Sequence, residues 1–227
     1  MLYLIPTPIG NLEDITLRAL RILKEVDYIL AEDTRTTGHL MKHFEIKTPL
    51  RSYHAHNEHR AIQPIIEDLL AGKKIGVVSD AGTPGISDPA FLLTRACVQH
   101  QIKICCLPGP TALIPALVMS GLPCDTFHFE GFLPHKKGRS TRIKYLTALP
   151  NTFVLYESPF RLVKCLTEIM EAGGDRKAAV VREISKVFET CHSGTLSTLI
   201  AHFMATTPKG EIVVIVEGAD NKKAKNE

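Results

Sequence analysis

Short apolar runs recur along the first hundred residues, and each one ends in a cluster of glycine, proline or acidic residues before a stretch of helical period. Leu2 to Ile5, Asp27 to Ala31, Leu50 to Tyr53, Lys74 to Ser79 and Ile102 to Leu107 are the predicted strands. Between them, Leu17, Leu20, Ile22 and Leu23 form the apolar face of a helix with Asp14 as its cap. A further helix starts at Asn57-Glu58 and stops at Ala71-Gly72, where glycine suits the residue beyond the last turn. Strand and helix in alternation predict a parallel sheet with right-handed crossovers. After Ala112 an apolar helix runs to about Met119 and is broken by Gly121-Leu122-Pro123, so Ser120 to Asp125 is the expected boundary. Phe127 to Phe132 then alternates as a strand should, and Thr152 to Tyr156, Ala178 to Ile184, Val187 to His192 and Ile212 to Val216 complete a mixed sheet. The fold class is therefore α/β, with one domain over 1–120, a second over 121–218, and a polar tail over 219–227 expected to be disordered.

Composition adds limits. The 227 residues are 44% hydrophobic and 22% charged, which suits a soluble globular protein with a substantial core. No window approaches the roughly 18 uninterrupted apolar residues of a membrane span, and Pro6 interrupts the start, so the expected location is cytoplasmic. The six cysteines form no C-x-x-C pair and are expected to be buried, reduced thiols. His54, His56 and His59 have a spacing that could be imagined as a zinc site, but it crosses a strand-to-helix transition and no acid or cysteine completes a ligand set. Those histidines are read as solvated or substrate-facing, and no metal is expected.

The polar clusters all fall at one kind of place. Thr7-Pro8-Ile9-Gly10-Asn11, Glu32-Asp33-Thr34-Arg35, His54 to Glu58, Ser79 to Ala90 and Pro108 to Ala112 each follow the carboxyl end of a predicted strand, the edge at which open α/β sheets bind ligands. Ser79 to Ala90, SDAGTPGISDPA, is the most heavily specified. Its Gly82 and Gly85 permit positive φ, Pro84 and Pro89 stiffen it, and Asp88-Pro89 reads as a helix cap followed by proline in the first turn. The loop is expected to form a cradle of main-chain amides. Neither a P-loop nor a dinucleotide glycine fingerprint is present, so the cradle suits a nucleoside-like ligand without phosphate. Amides could hold its carboxylate, Asp80 its ammonium, and apolar walls its base; S-adenosylmethionine has those parts.

The densest basic segment is His135 to Lys144, with five Lys or Arg in ten residues and no acid. It is either a solvated helix start or an arm that contacts phosphates.

Taken together, TPIGNLEDITLRAL, AEDTR, HNE, SDAGTPGISDP, PGPTA, FEGFLP, YESPFR, REISKVFE and GEIVVIVEG resemble the tetrapyrrole-methylase-like (class III) S-adenosylmethionine methyltransferases, and cover nearly the whole chain in order. Ala90 stands where that family commonly has glycine and Thr111 where it commonly has serine. The resemblance implies two α/β domains with a cofactor cleft between them, usually a homodimer, and within the family it points to the branch that methylates a cytidine ribose 2′-hydroxyl in 16S ribosomal RNA of the small subunit. Carried over residue by residue, Pro8, Asp80, Ala81, Gly82, Ile86, Thr111, Ala112 and Tyr156 are the implied cofactor contacts. Arg35, Lys136, Lys137, Arg139 and Arg142 are the expected RNA contacts.

Methyl transfer to a ribose hydroxyl requires collinear oxygen, carbon and sulfur, and such positioning contributes roughly 7–11 kcal/mol. Lys186, in REISK, is a candidate base or a cation for the developing alkoxide; Glu183, Asp33 and Glu32 compete for the proton. The alternatives are methylation of a porphyrin-like small molecule and a non-catalytic RNA- or nucleotide-binding module. A dehydrogenase ranks third, weakened by the missing dinucleotide fingerprint.

Overall fold

A computed structural model describes residues 1–87 and 90–219. The chain forms two compact units, Met1–Thr111 and Ala112–Glu227. The division therefore falls before the apolar helix that was expected to close the first domain. That helix lies against the last strand of the second unit, which is why it groups there.

The first unit runs β1 (Leu2–Leu4), α1 (Leu17–Glu25), β2 (Tyr28–Ala31), α2 (Thr34–His43), β3 (Leu50–Ser52), α3 (Glu58–Leu70), β4 (Ile75–Val78), α4 (Phe91–Gln99) and β5 (Ile104–Cys106). Its sheet has the order β3-β2-β4-β1-β5, with every pairing parallel. Alternation along each strand sends side chains to two cores. Leu2, Leu4, Leu30, Ile75 and Val77 pack with Ile65, Ile66 and Leu69 of α3 and Leu93 and Cys97 of α4. Ile5, Ile29, Ala31 and Val78 pack on the other face with Ala19, Ile22 and Leu23 of α1 and Met41 of α2. β1 and β4 are neighbours whose following helices, α1 and α4, leave to opposite faces, so their carboxyl ends make the switch point of the sheet.

The second unit runs α5 (Leu113–Met119), β6 (Phe127–Phe132), α6 (Arg139–Ala148), β7 (Thr152–Glu157), α7 (Leu162–Gly173), β8 (Lys177–Arg182), β9 (Thr190–Thr195), α8 (Leu196–Ala205) and β10 (Ile212–Val216). Its order is β6-β7-β10-β8-β9; β6 pairs parallel to β7 and the remaining pairings are antiparallel. Helices α6, α7 and α8 cover the face that carries Phe153, Leu155, Val180 and Val214.

Several local expectations are corrected. Asp14 does not cap α1; it closes a short 3-10 turn capped by Asn11, and Thr16 accepts the Ala19 amide at the true helix start. Leu17 is exposed, and the buried stripe of α1 is Ala19, Ile22 and Leu23. Val187 and Phe188 precede the ninth strand, which begins at Thr190. The alternation of β6 is broken by a bulge between Phe129 and Gly131. Cys97 and Cys165 are buried thiols, whereas Cys106, Cys124 and Cys191 are exposed. Asn57 stands at the start of α3, yet its side chain accepts from the His54 amide and makes no helix cap. Asp88, Pro89 and the tail beyond 219 lie outside the described residues. Among the described residues, no helix is long and apolar enough to cross a membrane.

Candidate active site

The loops after β1 and β4 are joined by backbone hydrogen bonds. The Thr7 amide donates to the Gly82 carbonyl at 3.0 Å and the Gly82 amide returns to the Thr7 carbonyl at 2.9 Å. Thr7 Oγ1 donates to the Ser79 carbonyl, and Ser79 Oγ reaches the carbonyls of Ala81 and Gly82. Thr83 Oγ1 donates to the Pro110 carbonyl at 3.3 Å, which ties the loop after β5 to the same structure. Gly82 has φ 79°, a conformation that favours glycine. The rigidity expected of Ser79 to Ala90 is thus made by its neighbours. Its expected role as an amide cradle is corrected at Gly82, because that amide is already spent on Thr7.

Beside this junction is a cavity of about 230 Å³ lined by Thr7, Pro8, Gly10, Leu12, Thr36, Thr37, His39, Leu40, Ser79 and Asp80. The lining combines hydroxyls, one carboxylate and apolar side chains, with no lysine or arginine among the described lining residues. It suits a cationic or neutral polar ligand and disfavours a phosphate. Its volume is below the roughly 300–1,000 Å³ of common ligand pockets, so it can enclose part of a nucleoside-sized molecule. Asp80 is oriented by the Asp33 amide, which donates to its Oδ1 at 3.0 Å. Asp33 caps α2 by accepting from the Arg35 amide, and its carboxylate also receives the Arg35 guanidinium at 2.7 Å. Those hydrogen bonds hold the Asp33 carboxyl down at about 2, so it is a poor base near neutral pH. Arg35 is exposed and pointed back at Asp33.

Of the expected cofactor contacts, Pro8 and Asp80 line the cavity and Gly82 fixes its wall. Ala81 and Ile86 are exposed on the same loop, and Thr111 and Ala112 are half-buried after β5. Thr36, Thr37, His39 and Leu40 were missed. The sequence signal for them is the hydroxyl-rich start Thr34-Arg35-Thr36-Thr37 directly after a buried strand.

Tyr156 belongs to the second unit, near the end of β7. Its ring takes Phe129 and Phe132 edge-on, with centroids 5.1 and 5.6 Å away. Burial raises its hydroxyl pKa. At the ends of β8 and β10, Lys186 Nζ donates to Glu183 Oε1 at 3.0 Å and Glu211 Oε2 at 3.1 Å. Burial works against the Lys186 charge, but these two carboxylates outweigh it and hold the pKa above the ordinary lysine value. Lys186 is thus a stable ammonium. Glu183 also accepts the Glu211 amide at 2.8 Å, the first cause of its lowered pKa. Glu183 and Ser185 both adopt positive φ, 51° and 67°, the kind of strain that clusters at functional sites.

The basic segment divides. Lys136 and Lys137 are exposed, ahead of Gly138 at the start of α6. Arg139, expected on the RNA surface, is buried; its Nε donates to Glu168 at 2.7 Å and its Nη2 lies 3.6 Å from Glu157. Arg142 is clamped on Glu130 by two hydrogen bonds and lies over the Tyr145 ring. Both arginines are committed to intramolecular partners, and Arg139 is inaccessible to a phosphate. Among the described residues, no group of three or more His, Cys, Asp or Glu could hold a metal.

Residues 1–200 match the family described as tetrapyrrole (corrin/porphyrin) methylases. The chain belongs to this family. Within the tetrapyrrole methylases, the chain is 49% identical over 221 residues to ribosomal RNA small subunit methyltransferase I of Synechocystis, covering 96% of this chain and 79% of that protein. It is 47% identical over 227 residues to the protein of the same name from Xylella fastidiosa, covering 98% and 83%. The Vibrio cholerae protein of that name is 46% identical over 222 residues, covering 96% and 77%. Among solved structures, cobalt precorrin-4 methyltransferase superposes with TM-score 0.68 at 17% identity, covering 95% of this chain and 94% of the other. Uroporphyrin III C-methyltransferase from Thermus thermophilus gives 0.65 at 18%, covering 94% and 96%. At such low identity these two show the shared tetrapyrrole methylase fold.

Proposed function

We propose that this methyltransferase uses S-adenosylmethionine to methylate the ribose 2′-hydroxyl of a cytidine in 16S ribosomal RNA of the small subunit. The observation that carries the reading is the 46–49% identity, over nearly the full chain, to proteins named for small-subunit ribosomal RNA methylation. The fit of the cofactor rests on the cavity at the β1/β4 switch point. Asp80 would take its ammonium, the hydroxyls of Thr7, Thr36, Thr37 and Ser79 its polar groups, and Pro8, Leu12 and Leu40 an apolar surface. Ala81, Gly82, Ile86, Thr111, Ala112 and Tyr156 remain in the proposed contact set. When bound, the cofactor supplies an electrophilic methyl group on a sulfonium.

The chain's own part is to hold the hydroxyl and to stabilise the charge that develops on it. Lys186 is suited to the second task, because an ammonium fixed between two carboxylates needs little reorganisation to face an alkoxide. Its raised pKa argues against the base role, and Asp33 is disfavoured by its low one. For RNA contact, Lys136, Lys137 and Arg35 are the surface cations in this reading. A homodimer acting in the cytoplasm completes it.

The test is to incubate the protein with small ribosomal subunits, free 16S RNA and uroporphyrinogen in turn, with labelled S-adenosylmethionine, and to map ribose methylation by resistance to alkaline hydrolysis. Label on a ribose of the RNA is expected. Label on the macrocycle alone would overturn the RNA reading.

A further inference from the structure

One end of the second sheet carries aromatic rings that the core does not use. Register places Phe132 opposite Tyr156, Glu157 opposite Ile212, Ile212 opposite Arg182, and Arg182 opposite Thr190. Strands β6 and β7 are parallel, and β7 and β8 are both antiparallel to β10, so β6, β7 and β8 all finish at this edge. With strands about 4.8 Å apart, the five-strand row spans roughly 19 Å. On it Phe132 is 55% exposed, Phe160 just past β7 is 94% exposed, and Phe188 in the β8–β9 turn is 73% exposed.

The placement of Phe132 is set by the bulge. Phe129 pairs with Val154 and Phe132 with Tyr156, so two residues three apart in sequence stand on the same face. In an unbulged register Phe132 would instead fall opposite Glu157 and point to the other side of the sheet. Three exposed rings along one sheet edge are the unusual feature here, since single exposed apolar side chains are ordinary.

Unpaired lysines stand along this edge. Lys136 and Lys137 follow β6 and Lys209 precedes β10; all three are exposed and make no ion pair among the described residues. Of the acids at this edge, Glu183 and Glu211 share Lys186, while Glu189 accepts the Ser185 amide and keeps its charge, so the basic part of the rim is the side of Lys136, Lys137 and Lys209. Glu157 is buried and holds Arg161.

We propose that Phe132, Phe160 and Phe188 form a stacking platform for unpaired RNA bases, with Lys136, Lys137 and Lys209 meeting the flanking phosphates. This rests on the ribosomal RNA reading above and assigns the surface that presents the strand. Aromatic faces accept any base, and sequence-tolerant single-strand binding is built from such rings and a basic rim. A second copy of the chain is a poorer occupant. Self-contact through one patch would bring both lysine rims together, and like charges facing each other oppose association.

The experiment uses the full chain with a cytidine-rich 12-nucleotide RNA carrying one 2-aminopurine, alone and annealed to its complement. Phe160→Leu and Phe188→Leu keep an apolar side chain and remove the ring; Phe160→Trp restores one. The single strand is expected to bind with quenched 2-aminopurine fluorescence, and each leucine variant to weaken it roughly tenfold. The tryptophan variant should bind as the parent does, and the duplex should respond to none of the three. Leucine variants that bind the single strand like the parent would overturn the platform. So would leucine variants whose main change is in sedimentation equilibrium, since the patch would then belong to a second copy. A parent protein that methylates no ribosomal RNA, yet loses the oligonucleotide on leucine substitution, would sink the functional reading and leave the platform standing.

Discussion

Lys186 and Glu183 face each other in a turn of positive-φ backbone, Nζ to Oε1 at 3.0 Å, with Glu183 at φ 51°. Glu183 also accepts the Glu211 amide, so one carboxylate fixes both the turn and the lysine. The signs of the two pKa shifts define a window. Lys186 is raised, so its contribution to stability is complete below the ordinary lysine value of about 10.4 and is lost as pH climbs through the higher folded value. Glu183 is lowered, so its contribution is present above about 4.3 and is lost as pH falls through the lower folded value. Across neutral pH the pair is fully ionised.

An ammonium role and a base role predict different variants. Lys186→Arg keeps the charge and should retain single-turnover methyl transfer within about tenfold, while Lys186→Ala should lose on the order of 100-fold. Wild-type rate should show no rise attributable to lysine deprotonation between pH 7 and 10. An arginine variant as inactive as the alanine variant, together with a rising alkaline limb in the parent, would return Lys186 to the role of base.

Asp80→Asn separates charge from loop structure. Asparagine Oδ1 can still accept the Asp33 amide, so the orientation of the side chain survives while its charge is lost. Affinity for S-adenosylhomocysteine, measured by titration calorimetry, should fall about tenfold or more, as for loss of a charge-assisted hydrogen bond. Unchanged affinity would mean that Asp80 shapes the pocket without contacting the ligand.

The strands were legible because buried parallel strands read as unbroken apolar runs, as in Ile75 to Val78. The ligand edge was legible because glycine, proline and acid accumulate where such runs stop. Two features depended on partners that are distant in sequence, and a third on a strained turn. Arg139 looked like a surface cation until Glu157 and Glu168 drew it inward. The Gly82 amide looked free until Thr7 took it. Val187 and Phe188 have strand-forming side chains, but the positive-φ turn at Glu183 and Ser185 leaves them exposed before β9 begins. Helix α2 was hidden for a local reason, since its threonines and glycine are weak helix formers.

Gly210 is required by that same turn. It has φ 84°, and a Cβ there would overlap the Glu183 carboxylate. Gly210→Ala must therefore strain the backbone and displace the group that anchors Lys186. A loss of about 1–3 kcal/mol in chemical denaturation is expected, with a fall in single-turnover rate at saturating cofactor. A variant that kept both would show that the Glu183 carboxylate can move without consequence.

Arg139 and Lys136 should separate stability from RNA binding, although both belong to one basic segment. Arg139 is buried against Glu157, whose side chain is 1% exposed, and Glu168. Arg139→Met removes a buried cation while Glu157 keeps Arg161, so the loss should be about 1–3 kcal/mol, read as a lower denaturation midpoint. RNA affinity of the protein that remains folded should be nearly unchanged. Lys136→Ala and Lys137→Ala should leave the midpoint in place, and each should reduce the salt dependence of RNA binding by about one unit of log slope. If Arg139→Met kept parental stability but lost RNA affinity, the guanidinium would have to leave its carboxylates to reach phosphate, and its structural assignment would be reversed.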